Sequence, residues 1–123
     1  MSVAIVDDDE SVRRALQRLL HASDLVAETY ASGREFLDSL RSRRHPDCLV
    51  LDLQMPGMNG LEVQRELANA GLHLPVVVIT GHDEPGVGAR CLSAGASAYL
   101  RKPFDDRAIL DAIAAAVASP RPH

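Results

Sequence analysis

The chain has no tryptophan among its 123 residues and only 3% aromatic residues, so any core has to be assembled from aliphatic side chains. It has just two cysteines, Cys48 and Cys91, without the paired spacing of a metal site. Cys48 falls in an apolar strand and Cys91 in a predicted helix, and both are expected to behave as small buried core residues. No excess of basic charge is present either. The 13 basic and 17 acidic side chains give a net charge of −4, which supplies neither a basic field for nucleic acid nor a polybasic patch for anionic lipid. The chain is therefore not expected to bind DNA or a membrane by itself. The longest greasy stretch, Ala112 to Ala118, is too short to span a bilayer. The opening Met1-Ser2-Val3 turns acidic by Asp7 and lacks the basic start and long apolar run of a signal peptide, so a soluble, cytoplasmic protein is expected. The length suits one domain, burying roughly two-thirds of its unfolded surface.

What is present is a regular alternation of short apolar runs and helical stripes. Val3 to Val6, Val26 to Tyr30, Cys48 to Leu51, Val76 to Ile79 and Ala98 to Arg101 read as strands. Between them, Val12, Ala15, Leu16, Leu19 and Leu20 form one helical stripe, with Arg13, Arg14, Gln17 and Arg18 on the opposite face. Ser32 and Glu35 have the spacing of a capping box for a second helix carrying Phe36, Leu37 and Leu40. Arg41 to His45 reads as its basic, solvated end, stopped by Pro46. Asn59 caps a third helix with the stripe Val63, Leu67 and Ala70, closed by Gly71. Gly86 and Gly88 should weaken the start of the fourth helix, which Gly95 ends. Asp105 caps the fifth, with Leu110, Ile113 and Val117 inward.

Five strands alternating with five helices predict a flavodoxin-like (βα)5 α/β fold, doubly wound, with a parallel sheet in the order 2-1-3-4-5 and helices on both faces. Residues 1–118 form the domain, and Ser119 to His123 reads as a loose tail or the start of a linker.

In such a sheet, ligands bind at the carboxyl ends of the strands, where the strand order reverses. That edge receives Asp7 and Asp8 from the first strand, Asp52 from the third, Thr80 from the fourth and Lys102 from the fifth. Capping explains Asp9 and Glu10 in the run Asp7-Asp8-Asp9-Glu10, but leaves the first two acids unexplained. Three carboxylates and one ammonium call for a hard divalent cation with oxygen ligands, and Mg²⁺ suits a site of few carboxylates that leaves room for phosphoryl oxygens. Asp52 is then a candidate nucleophile and covalent phosphoryl carrier, with Lys102 and Thr80 offsetting charge.

Four blocks, Val6-Asp7-Asp8, Asp52-Leu53-Gln54-Met55-Pro56-Gly57-Met58-Asn59-Gly60, Ile79-Thr80-Gly81-His82 and Lys102-Pro103-Phe104, resemble a two-component response regulator receiver domain, most similar to the FixJ type. The resemblance implies a signalling switch that is not an enzyme beyond its own phosphoryl transfer and dephosphorylation. Asp52 would accept a phosphoryl group from a sensor histidine kinase. Asp7, Asp8, Asp52 and the main-chain carbonyl of Gln54 would hold Mg²⁺, and Thr80 and Lys102 would bind the phosphoryl oxygens. Thr80 would move towards the phosphoryl group and Tyr99, in the position of the aromatic switch, would turn inward. The face of the fourth helix, fifth strand and fifth helix would change, allowing a homodimer when phosphorylated and regulation of a transcriptional output. FixJ-type receivers usually precede a helix-turn-helix domain, which these 123 residues do not contain. Asp9 beside the acidic pair and the glycines near Gly86 depart from the usual pattern.

Other readings fit less well. A flavodoxin-like cofactor module needs a phosphate-welcoming first loop, and this one presents Asp7-Asp8-Asp9-Glu10. A phosphoaspartate hydrolase would need a covering cap for which the chain has no room. Gly86-x-Gly88 has Cys91 where a dinucleotide fingerprint has its third glycine, and His82 is expected to be solvated or packed.

Overall fold

The structure is a computed structural model that describes residues 1–119. Its elements are β1 (Ser2–Val6), α1 (Glu10–Ala22), β2 (Val26–Tyr30), α2 (Gly33–Ser39), β3 (Cys48–Asp52), α3 (Gly60–Asn69), β4 (Val76–Thr80), α4 (Val87–Ser93), β5 (Ala98–Arg101) and α5 (Asp106–Ala118). All strand pairs are parallel, in the order β2-β1-β3-β4-β5. The expected tail lies, after Ser119, outside the described residues.

Alternation along the buried strands divides the core in two. Val6, Leu49, Leu51 and Val78 join Phe36, Val63 and Leu67 on one face. Ile5, Val50, Val77 and Ile79 join Leu16, Leu20, Ile109 and Ile113 on the other. Every residue of β3 and β4 is buried, as expected for a parallel sheet covered on both sides. Cys48 and Cys91 are buried, as expected of small core residues. The aromatic contribution is small: Tyr30 meets Phe36 edge-to-face, with ring centroids 5.5 Å apart and planes at 68°. No helix among the described residues is long and apolar enough to cross a membrane.

The helix starts follow the capping residues. Asp9 accepts from Ser11 N–H at 2.8 Å. Asp105 accepts from Ala108 N–H at 2.7 Å. Asn59 and Glu62 form a complete capping box. Ser32 caps α2 by accepting from Glu35 N–H, but the Glu35 carboxylate reaches Ala31 N–H at 3.5 Å rather than closing the box on Ser32. α4 starts only at Val87, from a left-handed Gly86 (φ 81°) with no side-chain cap, in keeping with the weak start expected there.

Three expectations are corrected. Ala15 is exposed, while Arg13 and Gln17 turn back to the sheet, where Gln17 donates to Ala27 O at 3.1 Å. Arg41 to His45 is not helical. Ser39 Oγ donates to Phe36 O at 2.6 Å and the chain tightens into three-residue turns from Leu40 onward. Ala70 is the exposed C-cap of α3, whereas Gln64 is buried. Leu110, Ile113 and Val117 of α5 do face the core, Leu110 and Val117 half-buried beside the innermost stripe of Ile109, Ile113 and Ala116.

Candidate functional site

Register fixes where the site forms. Val6 pairs with Leu51 and Asp52 with Ile79, so the strands bring their carboxyl ends level and the next residues emerge into one crevice. Asp7 is fully buried and Asp52 is 3% exposed, while Asp8 is exposed at the rim. One carboxylate oxygen from each of the three lies within 4.8 Å of the others. Lys102 reaches over them from the end of β5, with Nζ 2.9 Å from Asp7 Oδ2 and 3.6 Å from Asp52 Oδ1.

The surroundings hold Asp7 rigidly. Its Oδ1 accepts from Asp9 N–H at 2.9 Å, and its carbonyl accepts from Arg13 Nη1 at 2.8 Å. Asp9, flagged by the sequence as an extra acid, thus caps α1 with its side chain and braces Asp7 with its backbone. Gly60 is the corresponding support for Asp52. Its N–H donates to Leu53 O at 2.9 Å, and a Cβ there would lie 2.9 Å from Asp52 O.

Burial, then the neighbouring Asp7 charge, push Asp52 up to about 7, against the opposing pull of Lys102; Asp8 adds to the rise. For Lys102, burial is the largest single influence and favours the neutral amine, but Asp7 and Asp52 together outweigh it and the ammonium is held above its ordinary value. An acid raised on folding stabilises the fold below its unfolded value and loses that contribution as pH rises through the folded value. Metal-free protein is therefore expected to lose about 2–4 kcal/mol from this group between pH about 4 and about 7. Urea titrations of the wild type and Asp52→Asn across that range check it: the difference between them should grow with pH in favour of the variant. Equal slopes would refute the assignment.

Thr80 is fully buried and its hydroxyl is turned onto the loop beyond β4. It donates to Gln54 Oε1 or to His82 O, the latter at 2.9 Å, and accepts from His82 N–H at 3.1 Å. Tyr99 is half-buried, and its hydroxyl donates to Asp83 Oδ1 at 2.9 Å, with Arg101 Nη1 3.4 Å from the other oxygen. Burial first, then the bond to Asp83, push the phenol up to about 12. The His82 side chain is 73% exposed and 3.5 Å from Glu84, in keeping with a solvated role.

Of the sequence candidates, Asp7, Asp8, Asp52 and Lys102 are brought together. Thr80 is engaged by Gln54 and His82 next to them, and Tyr99 stands apart on Asp83. The side chain of Gln54, the backbone of His82 and Asp83 are participants that sequence reasoning missed. Only the proximity of Gln54 to Asp52 and of His82 and Asp83 to Thr80 along the chain signalled them.

The response regulator receiver domain family model matches residues 3–114. The chain is 42% identical over 117 residues to nodulation protein W of Bradyrhizobium diazoefficiens, covering 93% of this chain and 50% of that protein. It is 38% identical over 117 residues to the transcriptional regulatory protein FixJ of Azorhizobium caulinodans, covering 95% and 55% respectively. The chain thus spans about half the length of the curated relatives it matches. Among solved structures, FixJ-N superposes with a TM-score of 0.88 at 35% identity, covering 97% of this chain and 94% of that one. A response regulator receiver protein from Burkholderia phymatum gives 0.84 at 50% identity, covering 99% and 98%. The sheet order, the acidic crevice at its switch point and a family match over nearly all of the sequence agree, and the chain belongs to the response regulator receiver domain family of two-component systems.

Proposed function

We propose that this chain is a phosphorylation-dependent switch in which Asp52 accepts a phosphoryl group from a phosphohistidine of a sensor histidine kinase. The observation that carries this reading is the cluster of Asp7, Asp8 and Asp52 with the Lys102 ammonium reaching both buried members. A carboxylate oxygen of Asp52 attacks phosphorus, the P–N bond to the histidine breaks, and its electron pair returns to the imidazole. Asp7, Asp8, Asp52 and the Gln54 main-chain carbonyl would hold Mg²⁺, for which an all-oxygen, carboxylate-rich donor set is suited. When bound, the ion neutralises charge on the phosphoryl oxygens and the carboxylates. Lys102 supplies a positive charge beside Asp52, and the Thr80 hydroxyl a hydrogen-bond donor once it leaves its present partners.

Residues 1–118 act as the receiver unit, with Ser119 to His123 leading into a linker. The chain catalyses only its own phosphoryl transfer and dephosphorylation. Phosphorylation shifts Thr80 and Tyr99 between two arrangements and alters the α4–β5–α5 face, through which two copies pair. The doubled length of the relatives, one of them a transcriptional regulatory protein, supports a transcriptional output domain beyond this chain. DNA contact belongs to that domain. The regulator works in the cytoplasm.

Incubation with acetyl phosphate and Mg²⁺, followed by intact-protein mass measurement, tests the reading. One phosphoryl adduct is expected, and addition of EDTA beforehand should reduce its rate of formation at least tenfold. A metal-independent adduct would remove the ion from the mechanism, and no adduct would remove the function.

A further inference from the structure

We propose that the Gln54 side chain is a latch on Thr80, a positioning residue that holds the unmodified state and sets how readily Asp52 is modified. The inference rests on the reading of Asp52 as phosphoacceptor and adds its regulation.

The carboxamide of Gln54 is matched to the Thr80–His82 loop through both of its ends. Oε1 accepts from the Thr80 hydroxyl, and Nε2 donates to His82 O at 2.9 Å. Its orientation is set by these partners, since the reversed amide would turn its oxygen towards the His82 carbonyl and two acceptors would meet. Gln54 follows β3 and His82 follows β4, so the amide joins the two loops that flank the crevice.

A hydroxyl has one proton to donate. While Thr80 directs it to Gln54 Oε1 or His82 O, that proton is not available to a phosphoryl oxygen on Asp52. Recruiting Thr80 from the arrangement in which it donates to Gln54 requires that bond to break, so its strength, beyond what the His82 carbonyl offers the same hydroxyl, becomes a resistance to modification. The Gln54 side chain is exposed and Thr80 is buried, so the latch can be removed from the solvent side without opening the core.

Gln54→Met keeps the length of the side chain and the main-chain carbonyl, and removes both polar ends. With His82 O left as the acceptor for the hydroxyl, the loss of the Gln54 bond corresponds to an acceleration of up to about fivefold in the reaction with acetyl phosphate. In a Thr80→Val background the same substitution should change the rate less than about twofold, because no hydroxyl remains to be released. A rate unchanged or lowered by Gln54→Met, or a similar acceleration in both backgrounds, would overturn the latch. An effect independent of Thr80 would instead mark a steric or solvent role. Two-dimensional NMR of the unmodified protein supplies a readout that needs no phosphorylation. The His82 amide and Thr80 methyl signals should move in Gln54→Met while those of α1 stay in place. If the wild type forms no adduct on Asp52, the phosphoacceptor reading fails. Unmoved His82 and Thr80 signals would sink the latch by themselves.

Discussion

Asp52→Asn is expected to form no phosphoryl adduct with acetyl phosphate, a loss of the whole signal against the wild type. An amide oxygen is a poor nucleophile, and the substitution removes one of the three carboxylates that would hold the metal. The fold should survive. The replacement is close in size, and it relieves a carboxylate that burial and Asp7 hold up to about 7. Loss of modification together with equal or greater stability at neutral pH separates a chemical role from a structural one. Lys102→Met supplies the graded companion. Its ammonium touches Asp7 more closely than Asp52, at 2.9 Å against 3.6 Å, so the variant should retain an adduct at a lower rate and suffer from leaving Asp7 buried without its cation. An adduct of undiminished yield in Asp52→Asn, measured by mass, would move the acceptor to another side chain.

Gly60→Val should destabilise the protein by about 3 kcal/mol and disturb the Asp52 loop as well. A Cβ at this position would stand 2.9 Å from Asp52 O and 3.0 Å from Leu53 Cα, both backbone atoms that cannot rotate aside. The fully buried β3 resists retreat on one side, and the Gly60 N–H bond to Leu53 O holds α3 close on the other. Helix propensity acts in the opposite direction, but only by up to about 1 kcal/mol for replacing glycine near a helix start, so the clash dominates. Gly81→Ala is the control, because a Cβ there meets only Lys102 Cδ at 3.8 Å, an ordinary contact. Denaturant melts of the two variants should differ clearly. Similar midpoints would show that α3 can slide away from Asp52, and that Gly60 does not fix the loop.

The fold was legible because its strands are short apolar runs and its helices open on Asp9, Ser32, Asn59 and Asp105, each of which caps as its type suggests. The charged part of the site was legible for a related reason. Strand ends can be read from hydrophobic runs, and the parallel order then dictates which ends meet. The failures share a cause in tertiary contacts that a one-dimensional pattern does not contain. Gln64 lies on α3 as a polar residue, yet it is buried and donates to Cys91 O at 3.2 Å. Arg13 and Gln17 belong to the polar side of α1 by composition, but long side chains let them reach backbone carbonyls at the sheet. The continuation of α2 into Arg41 to His45 failed because a Ser39 back-bond competes with the helix ladder. The role of Gln54 depends on where two loops face one another, and that of Asp83 on where the loop after β4 meets β5, which neither segment encodes separately.

The scarcity of aromatic residues has an optical consequence. With no tryptophan in the chain, its near-ultraviolet spectrum is carried by Tyr30 and Tyr99, and these two phenols occupy contrasting places. Tyr30 is fixed in the core against Phe36, whereas Tyr99 sits on β5 with its hydroxyl on Asp83. Any rearrangement of β5 would therefore be written into the absorbance and circular dichroism of one ring above the background from the other. The molecule carries a native reporter at the edge of its crevice, and following its state requires no added dye.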